Sequence, residues 1–137
     1  MQQMQTKSAG LMRGIAAIAF CGLSTLSAQT PDASSPEYFE SKIRPILANN
    51  CYSCHTDSKL GDLRLDNAAA ILKGGTRGPA ITPGEPEKSL LMTAIRQTDA
   101  NLKMPMGGKL KDSEVADIAA WIKAGAVWPK TSSSTLV

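Results

Sequence analysis

Apolar positions recur at helical spacing in three places along the chain, separated by a polar, glycine-rich middle. Phe39, Ile43, Ile46 and Leu47 form the first stripe. Ser34 with Glu37 fits a capping box ahead of it, and Pro36 suits a first helical turn. Pro45 lacks an amide hydrogen and should bend this helix or restart it near its end. Residues 56–86 are punctuated by Gly74-Gly75, Gly78-Pro79 and Pro83-Gly84-Glu85-Pro86, and read as loops. Within them Leu63 and Leu65 alternate with Arg64 and Asp66, a hint of a short extended stretch. A second helix is predicted from about Pro86 to Gln97, burying Leu90, Leu91, Ala94 and Ile95. The last helix is the clearest: Asp112 or Ser113 caps it, Val115, Ile118, Ala119 and Ile122 make its apolar stripe, and Gly125 ends it.

The N-terminus follows a different pattern. A basic stretch from Lys7 to Arg13 precedes an apolar run, Gly14 to Leu23, and then small and polar residues through Ser27-Ala28-Gln29. That order predicts a secretory signal peptide over residues 1–28, cleaved after Ser27 or Ala28. The run stops well short of the roughly 20 apolar residues of a spanning helix, so export is expected and a membrane span is not. Bulky Phe20 before Cys21 argues against lipid anchoring at that cysteine. The expected organisation is then a polar linker over 29–35, one domain over 36–129 and a frayed tail over 130–137.

Composition changes this picture in two ways. The formal net charge is +3, and part of it belongs to the leader, which makes nucleic acid an unsuitable partner. Aromatic residues make up only 4% of the chain, thin for a domain that must fill its own core, so a bound prosthetic group is expected to occupy part of the interior.

Candidate chemistry sits between the first helix and the loops. Cys51-Tyr52-Ser53-Cys54-His55 is a Cys-x-x-Cys-His sequence, the attachment signature for haem c. Two residues between the cysteines let both sulfurs reach the two vinyl groups of one porphyrin edge as thioethers, while the adjacent His55 offers an imidazole nitrogen to the iron. The same string also serves as a disulfide, a redox dithiol or half of a zinc site. A dithiol site belongs in a strand-helix unit, which the pattern lacks. Zinc needs further Cys or His ligands, and after leader removal Cys51, Cys54 and His55 are the only such residues. One covalent haem is therefore expected. His55 is the only histidine, so the sixth ligand must come from elsewhere, and a methionine thioether suits a low-spin electron-transfer haem. Met92 falls within the predicted second helix and reads as core filler. Met104-Pro105-Met106 lies in a loop before the last helix, flanked by Lys103 and Gly107-Gly108, where it can fold over an open haem face.

On these residues the chain resembles a class I cytochrome c, and more narrowly the planctomycete-type cytochrome c domain. The resemblance runs through Phe39 with Ile43-Arg44-Pro45-Ile46-Leu47, Gly61-Asp62-Leu63-Arg64-Leu65-Asp66, Pro83-Gly84 with Ser89-Leu90-Leu91, Met104-Pro105, and Trp121 to Pro129. It implies an all-α fold with crossed first and last helices around one haem, with Trp121 packed near Phe39 and Met104 as the sixth ligand. It also implies that the Pro79 carbonyl accepts the proton on the far nitrogen of His55; an ordinary turn at Gly78-Pro79 is the alternative. The family's usual Met-Pro-Pro is Met104-Pro105-Met106 here, which leaves a second sulfur two residues from the first.

The expected function is one-electron transfer between exported or periplasmic redox proteins on separate chains. The protein is expected not to be an enzyme, since no second histidine is present for proton work. The alternative is a haem-based sensor or interaction module whose methionine ligand is displaced by a gas. Lys103, Lys109 and Lys111 surround the methionine loop, either as a basic rim for an acidic partner or as ordinary solvated side chains.

Overall fold

The computed structural model describes residues 29–130. The proposed leader and the tail beyond Lys130 lie outside the described residues. Among the described residues the regular structure is helical, with no β-strands and only two isolated bridges, Gly75 with Gly78 and Asp99 with Leu102. None of these helices is long and apolar enough to cross a membrane.

The first helical run has three parts. α1 (Pro36–Tyr38) leads into a π-turn (Phe39–Ile43) and then α2 (Arg44–Asn50). Pro45 accounts for the wide turn: a tight helix would aim its ring at the Ser41 carbonyl, and the chain loosens to an Arg44 N–H bond onto the Phe39 carbonyl. The cap differs from expectation by one residue. Ser35 Oγ, and not Ser34, accepts from Tyr38 N–H at 3.1 Å, because Ser34 is held in a turn by the Asp32 carboxylate.

The middle is more ordered than its glycines and prolines predict. A 3-10 turn (Leu60–Asp62) precedes α3 (Ala68–Lys73), an element absent from the sequence prediction. Asn67 Oδ1 caps α3 by accepting from Ala70 N–H at 2.8 Å, and Gly74 ends it at φ 74. The second predicted helix begins late. Residues Pro86–Lys88 form a separate 3-10 turn, and α4 runs Leu90–Arg96. Ser89 divides the two, its side chain turned back to the preceding loop, where it accepts from Thr82 N–H at 2.9 Å and donates to the Glu85 carbonyl at 3.0 Å. α4 buries Leu91, Met92, Ala94 and Ile95, so Met92 is core filler as expected, whereas Leu90 is half-buried.

α5 (Asp112–Lys123) has neither expected cap, because Asp112 is already its first residue. Lys111 takes the capping position, and the Glu114 carboxylate reaches back to its N–H at 2.9 Å. The helix buries Ile118, Trp121 and Ile122 against the first helical run and α4. At that contact Phe39, Trp121 and Trp128 form one aromatic cluster, with ring centroids 5.6 Å apart for Phe39–Trp121 and 4.3 Å for Phe39–Trp128. Trp121 Nε1–H donates to the Val127 carbonyl at 2.8 Å, which folds the chain after α5 back over the cluster. The Arg44 guanidinium lies 4.9 Å from the centroid of the Phe39 ring.

Candidate cofactor site

α2 delivers the cysteine motif. Its last turn passes straight into Cys51 and Tyr52, whose N–H groups both donate to the Leu47 carbonyl. The next residues coil tightly, with Cys54 N–H and His55 N–H both donating to the Cys51 carbonyl, at 3.2 and 3.0 Å. Two further bonds anchor this turn to the segment after it: Leu60 N–H onto the Cys54 carbonyl at 3.1 Å and Leu65 N–H onto the His55 carbonyl at 2.9 Å. Cys51 and Cys54 are free thiols, the first partly buried and the second exposed. Burial, aided by the neighbouring Cys54, pushes the Cys51 thiol up to about 11, so it is a neutral thiol at physiological pH.

Cys51, Cys54 and His55 line a cavity of about 330 Å³. Its walls come from distant parts of the chain and are mainly apolar: Leu63 and Leu65, Ala80, Leu91 with Ala94 and Ile95, and Leu110. The Met104–Pro105–Met106 loop lines the same cavity. Met104 is half-buried, and its N–H donates to the Ala94 carbonyl at 3.0 Å. Met106 is 78% exposed. Gln97, in left-handed conformation after α4, ties the loop down by donating from its amide to the Gly108 carbonyl at 2.7 Å. The sequence offered no sign of that contact. Lys103, Lys109 and Lys111 are all exposed.

The structure thus brings Cys51, Cys54, His55 and Met104 to one cavity, and Pro79 stands apart from them. Gly78 and Ala80 line the wall while Pro79 does not. His55 Nδ1 lies 3.4 Å from the Leu63 carbonyl, and no bond from His55 to Pro79 occurs among the described residues. The carbonyl beside the imidazole is that of Leu63, and the Leu65 bond to the His55 carbonyl brings residues 63–65 alongside the ring. Among the described residues no cluster of three or more His, Cys, Asp or Glu side chains forms an alternative metal centre.

The donor set fits haem c. Two cysteines, one imidazole and the thioethers of Met104 and Met106 line an apolar chamber whose other walls offer side chains for packing. Comparison with curated proteins and with solved structures returns no match. A family model described as planctomycete cytochrome C matches residues 51–106, from the first cysteine of the motif to the end of the methionine loop. The flanking helices α1, α2 and α5, which the sequence resemblance included, fall outside the matched span. With the motif, the methionine loop and most of the chamber wall inside it, residues 51–106 are similar to a planctomycete-type cytochrome c domain.

Proposed function

We propose that this protein is an exported monohaem carrier of single electrons, with His55 and Met104 as axial ligands. The observation that carries the reading is that Cys51, Cys54, His55 and Met104, from two separate loops, line one apolar cavity. When bound, the haem iron supplies the one-electron ferric/ferrous couple.

The chain's own residues hold and insulate that couple. Cys51 and Cys54 fix the haem edge as thioethers. His55 gives one nitrogen to the iron, and Met104 gives the soft thioether that favours the ferrous state. With His55 and Met104 both holding the iron, the protein would keep substrate and water away and limit rearrangement when the charge changes. Leu65, Leu91, Ile95 and Leu110 keep the chamber apolar. The contact of α5 with the first helical run, through Phe39 and Trp121, supports a class I arrangement of crossed terminal helices. Donor and acceptor are separate redox proteins meeting the carrier outside the cytoplasm, in the periplasm or an equivalent compartment, as the leader pattern at residues 1–28 implies.

Two measurements on the purified protein test this. Acid-acetone extraction leaves the colour on the polypeptide, and the reduced protein at neutral pH resists carbon monoxide. Haem released into the solvent phase overturns covalent attachment. Ready carbon monoxide binding favours the displaceable-ligand sensor over the carrier.

A further inference from the structure

An axial histidine needs a fixed tautomer and a fixed ring plane, and both are set by the acceptor that takes the proton of its non-ligating nitrogen. In this chain the group facing His55 Nδ1 is the Leu63 carbonyl, 3.4 Å away. That is slightly beyond the roughly 2.7–3.2 Å of an ordinary N–H···O bond. Leu63 is extended, at φ −94 and ψ 130, and its neighbourhood is bound to the histidine a second time by Leu65 N–H on the His55 carbonyl at 2.9 Å.

Behind Leu63 lies a backbone clasp. Thr76 N–H donates to the Gly61 carbonyl at 2.9 Å. Gly75 and Gly78 exchange two bonds, at 3.2 and 2.9 Å, closing a small turn. A Cβ added to Gly75 would lie 2.2 Å from the Gly61 carbonyl oxygen and 3.0 Å from Leu63 N. Both of these are backbone atoms that no side-chain rotation can move aside. The bare backbone at Gly75 is therefore what allows residues 74–78 to press on 61–63 and hold the Leu63 carbonyl in place.

We propose that the Leu63 carbonyl, backed by the Gly61–Gly75 clasp, orients the His55 imidazole, with Leu63 and Gly75 as positioning residues and Pro79 uninvolved. The inference rests on His55 being the axial ligand. Donation from Nδ1–H to this carbonyl leaves the Nε2 lone pair for iron and increases the basicity of the ligand. A more basic ligand favours the ferric state, so the contact holds the reduction potential down.

The test uses the holoprotein. In the reduced, diamagnetic form, proton NMR should show the His55 Nδ1 proton exchanging slowly with solvent and giving cross-relaxation peaks to Leu63 Hα and the Arg64 amide. Peaks to Pro79 in their place overturn the inference. Gly75→Ala should keep the haem attached and the iron-sulfur band present while raising the potential. The expected shift corresponds to about a tenfold change in the redox equilibrium, about 59 mV for one electron. Gly84→Ala, which strains a positive φ but at a site with nothing within 4 Å of the added carbon, should lower stability and leave the potential alone. An unchanged potential in Gly75→Ala overturns the clasp. If that variant does not fold, the spectrum of the unsubstituted holoprotein still decides for Leu63 or against it. Loss of the carrier reading is seen separately, as a protein without thioether-linked haem, and that result overturns both.

Discussion

Met104 and Met106 have the same chemistry, and their surroundings separate them. Met104 is half-buried and held by its N–H bond to Ala94, whereas Met106 is 78% exposed. Met104→Ala should abolish the weak iron-sulfur charge-transfer band and lower the reduction potential; Met106→Ala should change both only slightly. Loss of the band in Met106→Ala alone would reverse the assignment. Tyr38 gives a second prediction. Its hydroxyl donates to the Asp117 carboxylate at 3.1 Å, and burial, then that bond and the charge of Asp117, push it up to about 12. An unfolded tyrosine titrates near 10. The folded state therefore keeps a proton that the unfolded state loses, and the stability from this group is complete below about pH 10 and fades as pH rises toward 12. Tyr38→Phe should cost about 1 kcal/mol near neutrality, with the gap to the unsubstituted protein closing over that window in urea melts. A gap constant from pH 8 to 12 would rule the linkage out. At this scale the cysteines and histidine were legible because they are contiguous. The Leu63 carbonyl was not, since a backbone acceptor looks the same at every residue and only the path of the chain selects one.

Elements were legible where an apolar stripe repeated over several turns, as in α5 with Ile118 and Ile122. α3 escaped because it has six residues, too few for a stripe, between segments rich in glycine and proline. Its signal was the pair of ends, Asn67 before and Gly74 after. Asn67→Ala should remove the cap and cost about 1 kcal/mol in chemical denaturation. α4 shows the opposite error: the prediction ran it from Pro86, although Ser89 interrupts the run. Ser89 is 1% exposed, and its hydroxyl satisfies Thr82 N–H and the Glu85 carbonyl. Ser89→Ala leaves both without that partner in a closed site. The expected loss is about 1 to 3 kcal/mol, with the visible spectrum unchanged. A loss below about 0.5 kcal/mol would mean that the 82–88 loop does not depend on Ser89.

For the molecule as a whole, the low aromatic content turns out to be unevenly distributed. Phe39, Trp121 and Trp128 gather where the terminal helices meet, and Tyr38 lies beside them, bonded to Asp117 of α5. That region closes on itself by direct contact. The other half of the interior is a chamber walled by leucine, isoleucine and alanine from segments around residues 63–65, 80, 90–95 and 102–110. Those walls belong to short helices and turns, and the α-helices touching them, α2 at its last residue and α4 along its length, have seven residues each. Segments so short hold little structure alone, so their order depends on a shared surface to pack against. On the proposed function, a haem joined at Cys51 and Cys54 would provide that surface and stay fixed against it. Replacing both Cys51 and Cys54 with Ala should consequently weaken the chamber more than the aromatic cluster. The double variant should lose its cooperative melt, or melt at least about 10 °C below the holoprotein, which for a domain of this size corresponds to roughly 2 kcal/mol. Amide exchange should rise most in α3, α4 and the methionine loop, and least around Phe39 and Trp121. A melt as sharp and as high as that of the holoprotein would mean that the polypeptide packs its own interior.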